Sequence, residues 1–369
     1  VYTGGKIYTV NKTQPWAEAV AITDGKFIKV GSADDVKPLI GDDTKVVDLN
    51  GKFVMPGLID SHVHPLGVAN SWANLRITNP TDKDAILAEV KEYAEANPDL
   101  PMIRGEAWNL GVFENDSPSK ELLDAIDSKR PIYLQSQTGH SAWANSKALE
   151  LAGITKDTPN GGSFVFDVDK KTGEPSGTVR EFAMGAVEQA LPGTDPKRYG
   201  PSLARVISQF NEYGFTSLKC AEGTRDWIAG AGALDRAGGL NARLHAAWEW
   251  RSHYTPHTKE EQDTLPLKWK EYATERVSPN HVKMFYDGGP DSYTALLIDD
   301  YEGREGFKAQ SNLPKVEFVE KIAKFNSQGI GVLVHVLGDG GAREVVDIFA
   351  EVRKRNGDNG VPLHLSHAW

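Results

Sequence analysis

Two histidines separated by one residue, His62 and His64, close an apolar run from Gly57 that reads as a buried strand. Side chains on a strand alternate faces, so both imidazoles point the same way and make a ready pair of ligands for a divalent cation. Two later apolar runs carry histidines at their ends: Val332-Leu333-Val334-His335 and Leu363-His364-Leu365-Ser366-His367. A fourth, Val282-Lys283-Met284-Phe285, carries a lysine that an ordinary core strand would avoid, since a buried ammonium is costly and tends to shed its proton. A neutral amine there can take up carbon dioxide as a carbamate; the competing reading has Lys283 reaching solvent or pairing with Asp287. The chemistry such a set suits is hydrolysis. A divalent ion polarises a carbonyl and lowers the pKa of water towards about 7, and an acid/base group takes up the proton and returns it to the leaving group.

These residues need elements that bring several strand ends to one place. From about residue 206 the chain alternates helix and strand in the manner of a parallel α/β fold. Strands are expected at residues 214–220, 242–248, 281–285, 330–335 and 363–367, following the one that ends at His62 and His64, with helices at about 314–328 and 341–355. An eight-stranded barrel needs two more strands than these six. Residues 1–52 read as short strands, with Asp24-Gly25 as a hairpin turn between residues 17–22 and 26–30. Between them, residues 66–205 form a polar and aromatic insertion. It holds a helix at about 82–96, with Ala85, Ile86, Val90, Tyr93 and Ala94 at helical spacing, a second helix signalled by Ser117-Pro118, and strand-like runs at 101–105 and 131–135.

Gly51-Lys52-Phe53-Val54-Met55-Pro56-Gly57-Leu58-Ile59-Asp60-Ser61-His62-Val63-His64 resembles the first-strand signature of the amidohydrolase superfamily of metal-dependent hydrolases. Thr138-Gly139-His140-Ser141-Ala142-Trp143-Ala144-Asn145-Ser146-Lys147-Ala148-Leu149 resembles the marker of one branch, amidohydrolase family 3, which includes the N-substituted formamide deformylases. The resemblance implies an α/β fold: a TIM-like (β/α)8 barrel, six of whose strands are in this chain, with a small β-sandwich domain and a large insertion after the first barrel strand. On that basis residues 1–52 are the N-terminal part of the sandwich and residues 53–369 the barrel, with 66–205 capping its mouth and the C-terminal strands missing. It further implies one or two divalent ions, zinc above all, held by His62, His64, a carboxylated Lys283, His335 and His367. His335 with Gly338-Asp339 resembles the fifth-strand motif. His367 resembles the sixth-strand histidine, although Leu365 and Ser366 stand where the family usually has isoleucine and glutamate. The catalytic base would be an aspartate of the last strand, beyond Trp369.

For substrate contact the sequence offers His140, inside the branch marker, and Trp108, with Phe113 and Trp143 as further apolar walls. His364 is expected on the opposite strand face from His367, packed against a helix, and His245, His253, His257 and His281 as structural or solvated residues. The net charge of −10 without a basic cluster argues against nucleic acid as a partner. One cysteine, Cys220, rules out an internal disulfide framework, and no apolar run approaches the roughly 18 residues a bilayer span needs. The chain starts at Val1, so cytoplasm and bacterial periplasm both stay open as compartments, and self-association into a homo-oligomer stays open too. The function expected is hydrolysis of carbon–nitrogen bonds in small non-peptide amides, formamides or cyclic amides by metal-activated water. The alternatives are an ester or phosphoester hydrolase on the same centre and a catalytically silent binding or regulatory protein.

Overall fold

The structure, a computed structural model, describes residues 1–161, 164–250, 258–290 and 293–368. The chain divides into two compact units, Val1–Ile59 and Asp60–Trp369. The first unit holds a four-stranded sheet, in the order Lys26–Gly31, Ala19–Thr23, Tyr2–Thr3, Val47–Asp48, and a three-stranded one, in the order Trp16–Ala17, Lys6–Tyr8, Phe53–Val54. The Asp24-Gly25 hairpin forms as expected, with both residues at positive φ (50° and 72°), the backbone that a tight two-residue turn with the twist of its strands requires.

The second unit is built on six parallel strands whose order in the sheet is their order in the chain: Leu58–Val63, Phe215–Cys220, Arg243–Glu249, His281–Phe285, Gly331–His335 and Leu363–Ser366. All six lie where the apolar runs put them. One face is apolar: Val282, Met284, Val332 and Val334 are fully buried in a core with Phe318 and Ile322 of the helix Lys315–Ser327 and Val345 and Ile348 of the helix Asp339–Asn356. Each such side chain contributes about 1.5–3 kcal/mol when withdrawn from water. The alternate positions, released from that duty, carry Lys283, His281, His335 and Glu249 on the other face. Among the described residues the two end strands pair on one side only, so the sheet is open at both edges.

The insertion contains a second, mixed six-stranded sheet in the order Phe164–Val168, Pro175–Glu181, Ser141–Ala144, Ile132–Ser136, Ile103–Trp108, Leu75–Arg76. Its helix Lys83–Ala96 starts where Asp82 accepts the amide hydrogens of Asp84 and Ala85, and it buries Ile86, Val90 and Ala94 at four-residue spacing. The helix signalled by Ser117-Pro118 starts later, at Lys120, with Ser119 in the capping position. Pro118 stays in the linking segment because its carbonyl accepts the Thr178 hydroxyl at 3.1 Å. No described helix is long and apolar enough to cross a membrane.

Candidate metal centre

At the C-terminal ends of the first, fifth and sixth strands four histidines form a continuous arc. Ring centres lie 5.4 Å apart for His62 and His64, 4.6 Å for His62 and His367, and 4.9 Å for His367 and His335. His62 lies in the first strand and His64 opens the helix Pro65–Ala73 directly after it. His367 reaches the arc by a break in the strand: the ladder ends at Ser366, and His367 takes φ 67°, which swings its ring to the face that simple alternation from Ser366 would deny it. This is a left-handed conformation that non-glycine residues adopt only when the surroundings compensate its cost.

Lys283 is 2 % exposed and so does not reach solvent. Nor does it depend on Asp287, whose carboxylate is occupied by three backbone amides, from Leu296 at 2.9 Å, Leu337 at 3.0 Å and Gly338 at 2.9 Å. The charges that act on Lys283 are Glu222, after the second strand, and Glu249, at the end of the third, neither of which the sequence singled out. Burial pulls the lysine down to about 8 and the two carboxylates pull it back up. His62 and His335 are both lowered to about 4, first by burial and then by the Lys283 charge, and His367 is lowered for the same two reasons. Neutral imidazoles are the form that binds metal.

Two features of the arc suit a cation. His62 Nε2 is buried without a hydrogen-bond partner, which is costly for a polar atom unless a ligand satisfies it. Two imidazoles on one tetrahedral ion, at the usual distance of about 2.0–2.1 Å, would hold their ring centres about 5 Å apart, the spacing observed. Among the described residues no group of three or more His, Cys, Asp or Glu is placed so that it could hold a metal ion as it stands. The arc is therefore an open set of donors around a buried lysine.

The remaining sequence expectations divide. His140 lies exposed on the turn between the strands Ile132–Ser136 and Ser141–Ala144. Trp108 is not a wall open to a ligand: it is fully buried, its indole donates to the Leu134 carbonyl at 2.7 Å, and it packs edge-on against Phe113 and Trp143 at 5.7 and 5.9 Å. His364 also corrects its expectation. Its register partner is Leu333, itself paired with Lys283, so His364 faces the lysine side of the sheet, with its ring 6.0 Å from that of His281 and Nε2 buried without a partner. The misreading came from assuming unbroken alternation up to His367. His281 is lowered to about 3, mainly by burial, as befits a structural residue; His245 is also lowered by burial, while His253 and His257 lie outside the described residues.

Gly338, which caps the helix Asp339–Asn356, and Gly340 in its first turn pack closely on the chain itself: a Cβ at Gly338 would stand 2.0 Å from the Leu296 carbonyl oxygen, and one at Gly340 2.9 Å from the Leu297 carbonyl carbon. Gly338 and Gly340 thus serve the approach of two backbones.

In fold the chain is similar to an uncharacterized metal-dependent hydrolase of Pyrococcus horikoshii OT3, with a TM-score of 0.73 at 22% identity over 95% of this chain and 67% of that one. The sequence model of the amidohydrolase family matches residues 45–368, and the chain belongs to that family. It is 29% identical to the exoenzymes regulatory protein AepA of Pectobacterium carotovorum subsp. carotovorum over 96% of this chain and 77% of that protein. It is 28% identical to the protein LONG AFTER FAR-RED 3 of Arabidopsis thaliana, over 99% and 63%. With the N-substituted formamide deformylase of Arthrobacter pascens it shares 26% over 98% of this chain and 67% of the deformylase. The chain thus spans between about three fifths and four fifths of these relatives' lengths.

Proposed function

We propose that this protein is a metal-dependent hydrolase of carbon–nitrogen bonds in small non-peptide amides, formamides or cyclic amides. The observation that carries the reading is the convergence of His62, His64, His335 and His367 around the buried Lys283. Those five residues would hold one or two divalent ions, with zinc favoured by the imidazole donors. A bound ion there supplies polarisation of the scissile carbonyl and a lowered pKa for water at the site. Burial disfavours the Lys283 ammonium, and a carbamate on Nζ would turn the lysine into an anionic ligand. The two neighbouring carboxylates oppose that step, so in this reading carboxylation and cation binding occur together.

His140, on its exposed turn, is proposed to contact substrate, and the insertion to cap the mouth above the arc. The six parallel strands are read as part of an eight-stranded barrel and the two small N-terminal sheets as part of a β-sandwich, in keeping with relatives longer than this chain. The proton from water would go to an aspartate on a strand other than these six. One name among the relatives, the exoenzymes regulatory protein AepA, favours a second reading, a binding or regulatory role, which would leave the arc intact but the acid/base group idle. Assay of the purified protein against panels of N-substituted formamides, cyclic amides, carboxylic esters and phosphoesters, before and after chelation and zinc restoration, decides among them. Zinc-dependent turnover of amides but not esters is the expected result. Turnover confined to esters, or none on any panel with zinc bound, would overturn the proposal.

A further inference from the structure

The loop that leaves the second parallel strand is fastened to its neighbours on both sides. Ala221 N–H donates to the Val63 carbonyl at 2.8 Å, and Glu249 N–H donates to the Gly223 carbonyl at 3.2 Å. Within the loop the Cys220 thiol donates to the Glu222 carbonyl at 2.8 Å. Glu222 is thereby set beside His64, with its Oε2 3.3 Å from His64 Nδ1. The space for its carboxylate is provided by a glycine in the helix that His64 opens: a Cβ at Gly67 would stand 2.2 Å from Glu222 Oε1. A helix interior gains nothing from glycine, which is a poorer helix former than alanine. Its presence at position 67 is explained by the carboxylate that fills the gap.

We propose that Glu222 is the positioning residue of His64: it accepts the Nδ1 hydrogen, fixes the tautomer and the ring plane, and leaves Nε2 as the electron pair offered to the cation. A metal-binding histidine whose second nitrogen donates to a carboxylate is a more basic and better oriented ligand. Gly67 takes part by leaving room for that carboxylate. The inference rests on the metal reading of the arc, and it assigns a role that no ligand pattern in the sequence carries.

The test compares wild type, Glu222→Ala, Glu222→Gln and Gly67→Ala in the intact chain. Zinc affinity is measured by competition with a chromophoric chelator, and the ligand field by the visible absorption of the cobalt(II) form. Removing a carboxylate partner of a metal-bound histidine weakens metal binding by about 10–100-fold, and Glu222→Ala should fall in that range. Gly67→Ala should weaken zinc in the same direction with no loss of thermal stability, because alanine suits the helix while its methyl displaces Oε1. Glu222→Gln keeps a carbonyl acceptor for Nδ1–H and should recover most of the affinity and the wild-type cobalt spectrum, which a purely structural role for the charge would not give. Wild type that takes up no zinc overturns the metal reading and this inference together. Wild type that binds zinc while Glu222→Ala binds it equally well, with the same cobalt spectrum, overturns this inference alone.

Discussion

Replacing Asp287 by alanine should unfold the protein at markedly lower temperature although the residue touches no histidine of the arc. Its carboxylate, 2 % exposed, accepts the amide hydrogens of Leu296, Leu337 and Gly338 and so ties the segments after the fourth and fifth strands to each other. Hydrogen bonds to a charged group are worth about 1.5–3 kcal/mol each, so three would sum to about 5–9 kcal/mol. Burial works against that sum and raises the carboxyl pKa despite the three donors, so part of the gain is already spent on desolvation. A net loss of about 3–5 kcal/mol remains for alanine, or about 10 °C in melting temperature for a unit of this size. Asparagine is the informative control. With its oxygen turned to Leu296 and Gly338 it leaves only the Leu337 amide facing an NH2 group, a cost of about 1–3 kcal/mol. Urea and thermal unfolding of wild type, Asp287→Asn and Asp287→Ala should give that order. An alanine variant within about 1 kcal/mol of wild type would refute the clamp, since ordinary surface changes fall near that range.

Trp108→Ala should cost about 3–5 kcal/mol, the usual loss for a buried tryptophan, while leaving KM unchanged; a raised KM at unchanged stability would restore it to the substrate site. Metal-free protein should lose stability as pH falls. His62 and His335 have folded values near 4, below the ordinary 6.5, so the stability they contribute is complete above about 6.5 and is lost as pH drops towards 4. Melting temperatures recorded across that window, with His335→Gln as comparison, check the slope; a wild-type profile as flat as the variant's would contradict the assignment. Lys283→Ala should lose metal, and a short carboxylic acid should restore part of it by standing in for the carbamate; undiminished metal in the variant would exclude the lysine as a ligand.

Much of this was legible because the sheet obeys simple rules. Apolar residues at alternate positions, as in Val282-Lys283-Met284, and short apolar runs, as in Val332-Leu333-Val334, announce strands whose outward side chains meet helices, and a polar residue such as Lys283 faces the other way. His62, Lys283 and His335 could be placed by that rule, whereas His64 already lies past the strand end at the start of a helix. His364 could not, since its orientation depends on the turn at His367, whose positive φ has no sequence signal as clear as a glycine. Trp108 misled because an aromatic residue beside a branch marker looks the same whether it lines a pocket or fills a core; only the indole bond to Leu134 decides. Glu222 and Glu249 carry no such signal, each being one acidic residue in an ordinary run: strand register brings Glu249 beside Lys283, and the loop after the second strand brings Glu222.

Metal held by the arc of histidines is the central claim to test. Metal content of the purified protein, measured by elemental analysis after dialysis against metal-free buffer, should be one or two equivalents of zinc or a similar divalent ion for wild type. The His62→Ala/His64→Ala double variant, folded by circular dichroism, should retain almost none. Equal metal in the two proteins, or a wild type that holds no metal after growth in zinc-supplemented medium, would contradict the account.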